Sequence, residues 1–125
     1  MAQDHDQAQR QAAAWIDAIN RRDLDAVAAM VHEDMTVQGG NTDRHLGREE
    51  GRIEGKQAYR EFLRWLFAQE PPVRHVLEDV FTGPQGNAFL THAEHDGTRF
   101  LFVREVDADG LVRNARVYLG RPPAG

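Results

Sequence analysis

The stretch Asn87–Asp107, NAFLTHAEHDGTRFLFVREVD, constrains the fold more than any other part of the chain. Asp96-Gly97 lies between two apolar runs. Such a pair favours a two-residue type I′ turn, because that turn needs positive φ at both central positions. A hairpin closed there pairs His95 with Thr98, Glu94 with Arg99, Ala93 with Phe100 and Thr91 with Phe102. Strand side chains alternate between faces. One face then carries Phe89, Thr91, Ala93, Phe100 and Phe102, with His95 and Arg104 at its ends. The other carries His92, Glu94, Arg99 and Glu105 around Leu90, Leu101 and Val103. An isolated hairpin is not stable in water, so other elements must cover the phenylalanine face.

The preceding sequence supplies that cover. Ala12, Trp15, Ile16 and Ile19 fall on one stripe of a helix expected from about residue 6 to 21. Asp23 is a candidate N-cap for a short second helix with Leu24, Val27, Met30 and Val31 facing inward. A short strand is expected over Asp34–Gln38. Lys56–Ala68 is the clearest helix, with Tyr59, Phe62, Leu63 and Leu66 as its buried stripe and Pro71-Pro72 as its stop. Between these lies Gly39–Gly55, where five glycines among charged residues argue against a packed element. It reads as a solvated loop or as a mobile lid offering Arg44, His45 and Arg48 to a ligand. Strands are expected over Val73–Thr82 and, after the Asp109-Gly110 turn, over Leu111–Leu119. The order predicts an α+β fold, with three N-terminal helices packed on a curved antiparallel sheet.

Composition narrows the chemistry. A chain of 125 residues suffices for one domain with its own core, with frayed ends at about 1–5 and 121–125. The net charge of −5 and the lack of a basic run disfavour nucleic acid and anionic membranes as partners. No apolar run approaches the roughly 18 residues of a membrane helix. The polar start MAQDHDQAQRQ lacks the apolar core of a secretory leader, so a cytoplasmic location is expected. The sequence has neither cysteine nor serine, which excludes thiolate and serine nucleophiles. The only lysine, Lys56, is expected in a solvated first helical turn and is a poor Schiff-base former. His92 and His95 are three apart on a strand and face opposite ways, so no shared metal ion is expected. His, Asp, Glu, Tyr, Thr and Arg remain, and these residue types suit proton transfer without a cofactor.

Four segments in order, WIDAINRRDLDAV from Trp15, HEDMTV from His32, IEGKQAYREF from Ile53 and VDADGLV from Val106, resemble the nuclear transport factor 2-like superfamily. The similarity is to its SnoaL-like and ketosteroid isomerase-like branch, and it spans nearly the whole chain. It implies a cone-shaped sheet around the helices, a deep apolar pocket between them, and homodimerisation through the outer sheet face. A ketosteroid isomerase uses a tyrosine on its first helix, an aspartate base after its first strand and a protonated aspartate on a later strand. The matching positions here are Trp15, Gly39 and Phe102, so that mechanism does not transfer.

The pocket that the resemblance implies would be lined by Trp15, Ile19, Tyr59, Phe89, Phe100, Phe102, Val117 and Leu119. His75 resembles the pocket histidine of several SnoaL-like proteins and is the first catalytic candidate; its plain alternative is a strand histidine bonded to a neighbour. His95 is the second, at the rim. Arg104 is the third, because an inward arginine needs a carboxylate or a ligand anion; Asp79 and Asp107 are its competing partners. Two functions are expected from these residues. One is a cofactor-free isomerase, cyclase, dehydratase or epoxide hydrolase acting on a hydrophobic, oxygenated small molecule. The other is a non-catalytic binding or dimerisation module.

Overall fold

The structure, a computed structural model, describes residues 4–47 and 51–120. Helix α1 (His5–Asn20) begins at a capping box, in which Asp4 accepts from the Gln7 backbone N–H and Gln7 reaches back to Asp4. It buries Ala12, Trp15, Ile16 and Ile19, the stripe expected from spacing. Asp23 caps α2 (Leu24–Ala28) through the Ala26 N–H. Strand β1 (Val31–Gly39) starts earlier than alternation indicates. A register irregularity between Val31 and Thr36 breaks the two-residue period, so only its second half reads as a strand.

The segment expected to be an unpacked loop or lid contains structure. Helix α3 (Asn41–Leu46) and strand β2 (Arg52–Glu54) both fall inside it. Then follow α4 (Lys56–Phe67), β3 (His75–Gly83), β4 (Gly86–Ala93), β5 (Arg99–Val106) and β6 (Val112–Gly120). The six strands form one sheet in the order β2-β1-β6-β5-β4-β3. It is curved and not closed, and α1 and α4 cover its concave face. The expectation of a wholly antiparallel sheet needs one correction: β1 runs parallel to β6, with Val37 opposite Ala115. No tight turn joins these two strands, so nothing in either one dictates their relative direction.

The central hairpin keeps its faces but not its register. Thr91 pairs with Phe100 and Phe89 with Phe102, a shift of two residues from the expected pairs. Two contacts explain the shift. The Glu94 N–H donates to the Arg74 carbonyl at 2.8 Å, which ties Glu94 to β3 rather than to Arg99. The Ala93 N–H donates to the Thr98 carbonyl at 2.8 Å and closes a longer loop, with Gly97 at φ +75° as its left-handed residue. The turn is therefore not a two-residue type I′ turn. A shift of two leaves every side chain on its predicted face, and Phe89, Thr91, Ala93, Phe100, Phe102 and Arg104 are all buried.

Phe89 is fully buried and stacks on Phe102 with ring centroids 4.8 Å apart, while Trp15 lies 5.6 Å from it. Phe89→Ala is expected to cost about 3–5 kcal/mol. Phe102→Ala, at the edge of a cavity, should cost less, because part of its surface has no packing partner to lose. Urea denaturation of the two variants checks the order.

Candidate active site

The cavity lies between α1, α4 and the inner face of the sheet. Trp15 and Ile19 come from α1, Tyr59, Phe62, Leu63 and Leu66 from α4, and Met35 and Val37 from β1. Phe100, Phe102 and Arg104 of β5 and their neighbours Ala115 and Val117 of the adjoining β6 form its sheet wall. Asn41 and Thr42 of α3 complete the wall. The partly exposed lining residues are Gly39, Asn41, Leu66 and Val117, which marks the mouth. The cavity measures about 60 Å³, less than the roughly 150 Å³ of an engineered cavity that holds benzene. A ligand larger than a few waters must widen it.

Gly39 turns the chain from β1 into α3 at φ +85°. A Cβ there would collide with the carbonyl oxygen of Val117. The position aligned with the isomerase base therefore has no room for a side chain. The other two aligned positions, Trp15 and Phe102, do line the cavity, as rings packed 4.8 Å apart.

His75 opens β3 and is 7% exposed. Asn20, the last residue of α1, clamps it by the backbone: the His75 N–H donates to Asn20 Oδ1 at 2.8 Å, and Asn20 Nδ2 donates to the His75 carbonyl at 2.9 Å. The ring is edge-on to Phe100, with centroids 4.8 Å apart, and its Nδ1 lies 2.9 Å from the buried Thr91 hydroxyl. Nε2 has no hydrogen-bond partner among the described residues. Burial pulls the pKa from 6.5 down to about 4, because the charged ring loses its hydration without gaining a counter-ion. The imidazole is thus neutral at pH 7. When Nδ1–H donates to Thr91, the Nε2 lone pair is left to accept a proton.

Arg104 is 4% exposed. Its guanidinium lies 4.9 Å over the Phe89 ring and 5.9 Å over the Trp15 ring, a cation–π arrangement. Neither carboxylate considered as its partner reaches it. Asp107 accepts the Asp109 and Leu111 backbone N–H groups, and Asp79 accepts that of Val80. Nε and Nη2 of Arg104 have no hydrogen-bond acceptor among the described residues. Burial lowers its pKa to about 10, so it remains a cation at neutral pH. Burial raises the pKa of the Tyr59 phenol; a hydrogen bond from Trp15 and the Arg104 charge oppose that shift.

The structure thus brings together His75, Arg104, Trp15, Ile19, Tyr59, Phe100, Phe102 and Val117. Three candidates stand elsewhere. His95 is in the hairpin loop, exposed, 3.4 Å from Asp96, because the longer loop takes it off the strand. Leu119 lies opposite Phe100 but is 53% exposed, where β6 outruns the helical cover. Phe89 packs behind the cavity wall. Of the lid candidates, Arg44 is exposed beside Trp65, and His45 packs on Phe62 and Trp65. Arg48 lies outside the described residues. Sequence reasoning missed the Asn20 clamp, Thr42 at the wall and the role of Thr91. A hydroxyl on an otherwise apolar strand face was the available signal for Thr91.

The curved sheet wrapped on its helices, with an apolar cavity between the layers, is the nuclear transport factor 2-like fold. The chain belongs to the SnoaL-like domain family, whose sequence pattern matches residues 12–118. It is similar to a SnoaL-like protein of unknown function from Burkholderia thailandensis, at 22% identity and a TM-score of 0.85, covering 94% of this chain and 98% of that one. It is also similar to SalBIII, an epoxide hydrolase/cyclase-like enzyme with a role in pyran ring formation in polyether salinomycin. There the identity is 22% and the TM-score 0.73, over 94% of this chain and 93% of that one. A third neighbour is RV0760c from Mycobacterium tuberculosis, solved in complex with estradiol-17β-hemisuccinate. Its identity is 21% and its TM-score 0.66, over 90% of this chain and 92% of that one. These likenesses carry the fold. No curated protein matches the sequence. Among the described residues no helix is long and apolar enough to cross a membrane.

The low pKa of His75 makes stability depend on pH. Above pH 6.5 both folded and unfolded states hold a neutral ring; between 6.5 and about 4 only the unfolded state takes the proton. Stability is therefore lost as pH falls through that window, by about 3 kcal/mol in all. Thermal unfolding across the window should show a steeper loss for the wild type than for His75→Gln.

Proposed function

We propose that the chain is a cofactor-free acid–base enzyme, of the isomerase, cyclase, dehydratase or epoxide hydrolase type, acting on a hydrophobic, oxygenated small molecule. The observation that carries this reading is a neutral, desolvated His75 in the same apolar cavity as an unpaired Arg104 cation. With a pKa near 4 the ring carries no proton to give at pH 7, so His75 acts first by accepting one. It takes that proton from a carbon beside a carbonyl, or from a water attacking an epoxide. The electron pair moves onto the substrate oxygen, and Arg104, with the Tyr59 hydroxyl, stabilises the charge there. As negative charge develops in the cavity it raises the proton affinity of His75 at the step that needs it. Trp15, Phe100 and Phe102 hold the carbon skeleton. Two structural neighbours support the ligand class: SalBIII has a role in pyran ring formation, and RV0760c was solved with a steroid ester bound.

The test is a panel of hydrophobic ketones and epoxides, followed by deuterium exchange beside the carbonyl and by diol formation. His75→Gln should lower turnover by about 10²–10⁴-fold while leaving ligand affinity within a few-fold. Unchanged turnover in His75→Gln removes His75 from the chemistry. Binding across the panel without turnover by the wild type would instead favour a non-catalytic binding module, which the narrow cavity also accommodates.

The same reading includes a homodimer through the outer sheet face. Val76, Phe81, Val103 and Tyr118 are exposed there beside Glu78, His92 and Arg99, a mixture suited to an interface. Sedimentation at micromolar concentration should show a dimer; a monomer alone refutes it.

A further inference from the structure

We infer that helix α3 is the gate of the cavity: it swings outward about its glycine ends to admit a ligand, and the His45 ring seated against Phe62 and Trp65 is the latch that holds it shut. The inference rests on the proposed cavity as the ligand site, and it adds how that site is reached.

A cavity of about 60 Å³ cannot take up an organic ligand unless part of its wall moves. Most of the wall is fixed. Strands β1, β5 and β6 are each paired on both sides, so displacing any of them breaks two ladders. Helix α1 buries six residues, and α4 buries Tyr59, Phe62 and Leu63. Strand β3 contributes His75 alone, and Asn20 clamps its backbone. Helix α3 differs from all of these. It is six residues long, belongs to no ladder, and Thr42 is the one residue it buries. Asn41 and Thr42 line the cavity, so moving α3 opens the cavity itself while exposing little apolar surface.

The ends of α3 suit such a movement. Gly40 precedes it at φ +58° and Gly47 follows it at φ +70°, and glycine passes between backbone conformations at less steric cost than any other residue. No side chain caps its N-terminus, so no such bond has to break.

What holds α3 closed is a small set of contacts with α4. The His45 ring lies 5.5 Å from that of Phe62 and 5.2 Å from that of Trp65, and the exposed Arg44 guanidinium lies 5.7 Å over Trp65. Trp65 is next in sequence to Leu66, a residue of the mouth, so the latch sits beside the opening. Closure also leaves a group unsatisfied. Nδ1 of His45 is buried without a hydrogen-bond partner among the described residues, and such a group gives up its hydration for nothing in return. Swinging α3 outward separates the rings but returns that nitrogen to water. The two effects oppose each other, which keeps the closed and open arrangements near in free energy.

The test exploits the absence of cysteine from the chain. Arg44→Cys and Trp65→Cys, both outside the cavity lining, are introduced together and bridged with a short bismaleimide. Association of 2-naphthol is then followed by stopped-flow fluorescence. Bridging should slow it at least about 100-fold relative to the same variant capped with N-ethylmaleimide. His45→Phe keeps a ring in the slot and removes the unmatched nitrogen, so it should favour closure and slow association about tenfold. Amide exchange at Gly47, whose N–H donates to the Asp43 carbonyl at 2.9 Å, should slow by a similar factor in His45→Phe without any ligand present. Equal rates for bridged and capped protein would overturn the inference, as would unchanged exchange in His45→Phe. Should the double variant fail to fold, the His45→Phe measurements decide. Failure here is separable from failure of the cavity reading. No binding of 2-naphthol by the wild type sinks the cavity as its site, and exchange at Gly47 then judges the gate alone. Binding that bridging does not slow sinks the gate and leaves the site standing.

Discussion

Trp15 is the contact on which the rest of the molecule depends. Its ring meets Phe102 at 4.8 Å, Phe89 at 5.6 Å and His75 at 6.1 Å. It also lies 5.9 Å from the Arg104 guanidinium and lines the cavity opposite α4. One side chain of α1 thereby meets β3, β4 and β5. Large aromatic rings contribute much of a core's burial energy, so the residue that seals the sheet onto its helices also sets the floor of the cavity. Fold and site share that residue, which means that neither can vary freely without the other.

The electrostatics of the site follow from the same packing. Excluding water from His75 removes the hydration that its cation needs, and excluding it from Arg104 leaves a permanent cation with no solvent to screen it. The two effects differ in outcome because the two groups differ in intrinsic basicity. A histidine responds to burial by becoming neutral; an arginine, even lowered to about 10, cannot. The cavity therefore holds a neutral acceptor and an uncompensated positive charge, a pairing suited to moving a proton while holding a negative oxygen.

Much of the site was legible from single residues, and the failures have definite causes. Arg104 stood out because a charged residue on an apolar strand face is unusual, and His75 because it resembles the pocket histidine of SnoaL-like proteins; both line the cavity. The inner faces survived a register error because a two-residue slip preserves the side of every side chain. His95 and Leu119 were misplaced for a different reason. Parity places a residue on a face, but only the extent of the covering layer decides whether that face is buried at its end. The segment 39–55 was read as unpacked because glycine and charge dominate it. Its helix α3 is held by contacts of His45 with Phe62 and Trp65 of α4, which no local period announces.

What the chain determined by itself is most of the elements and their faces: the amphipathic stripes of α1 and α4, the alternating strands of the hairpin and β6, and the glycine at position 39 in place of an isomerase base. These depend on spacing and on backbone sterics, which are local. Only the tertiary structure decided that β1 runs parallel to β6, that Glu94 bonds to Arg74, and that Asp79 and Asp107 turn to backbone N–H groups. Each is a choice among partners distant in sequence, settled by which arrangement satisfies the most buried polar groups. Among the described residues, Nε and Nη2 of Arg104 and Nδ1 of His45 are buried places where satisfaction within the chain stops short.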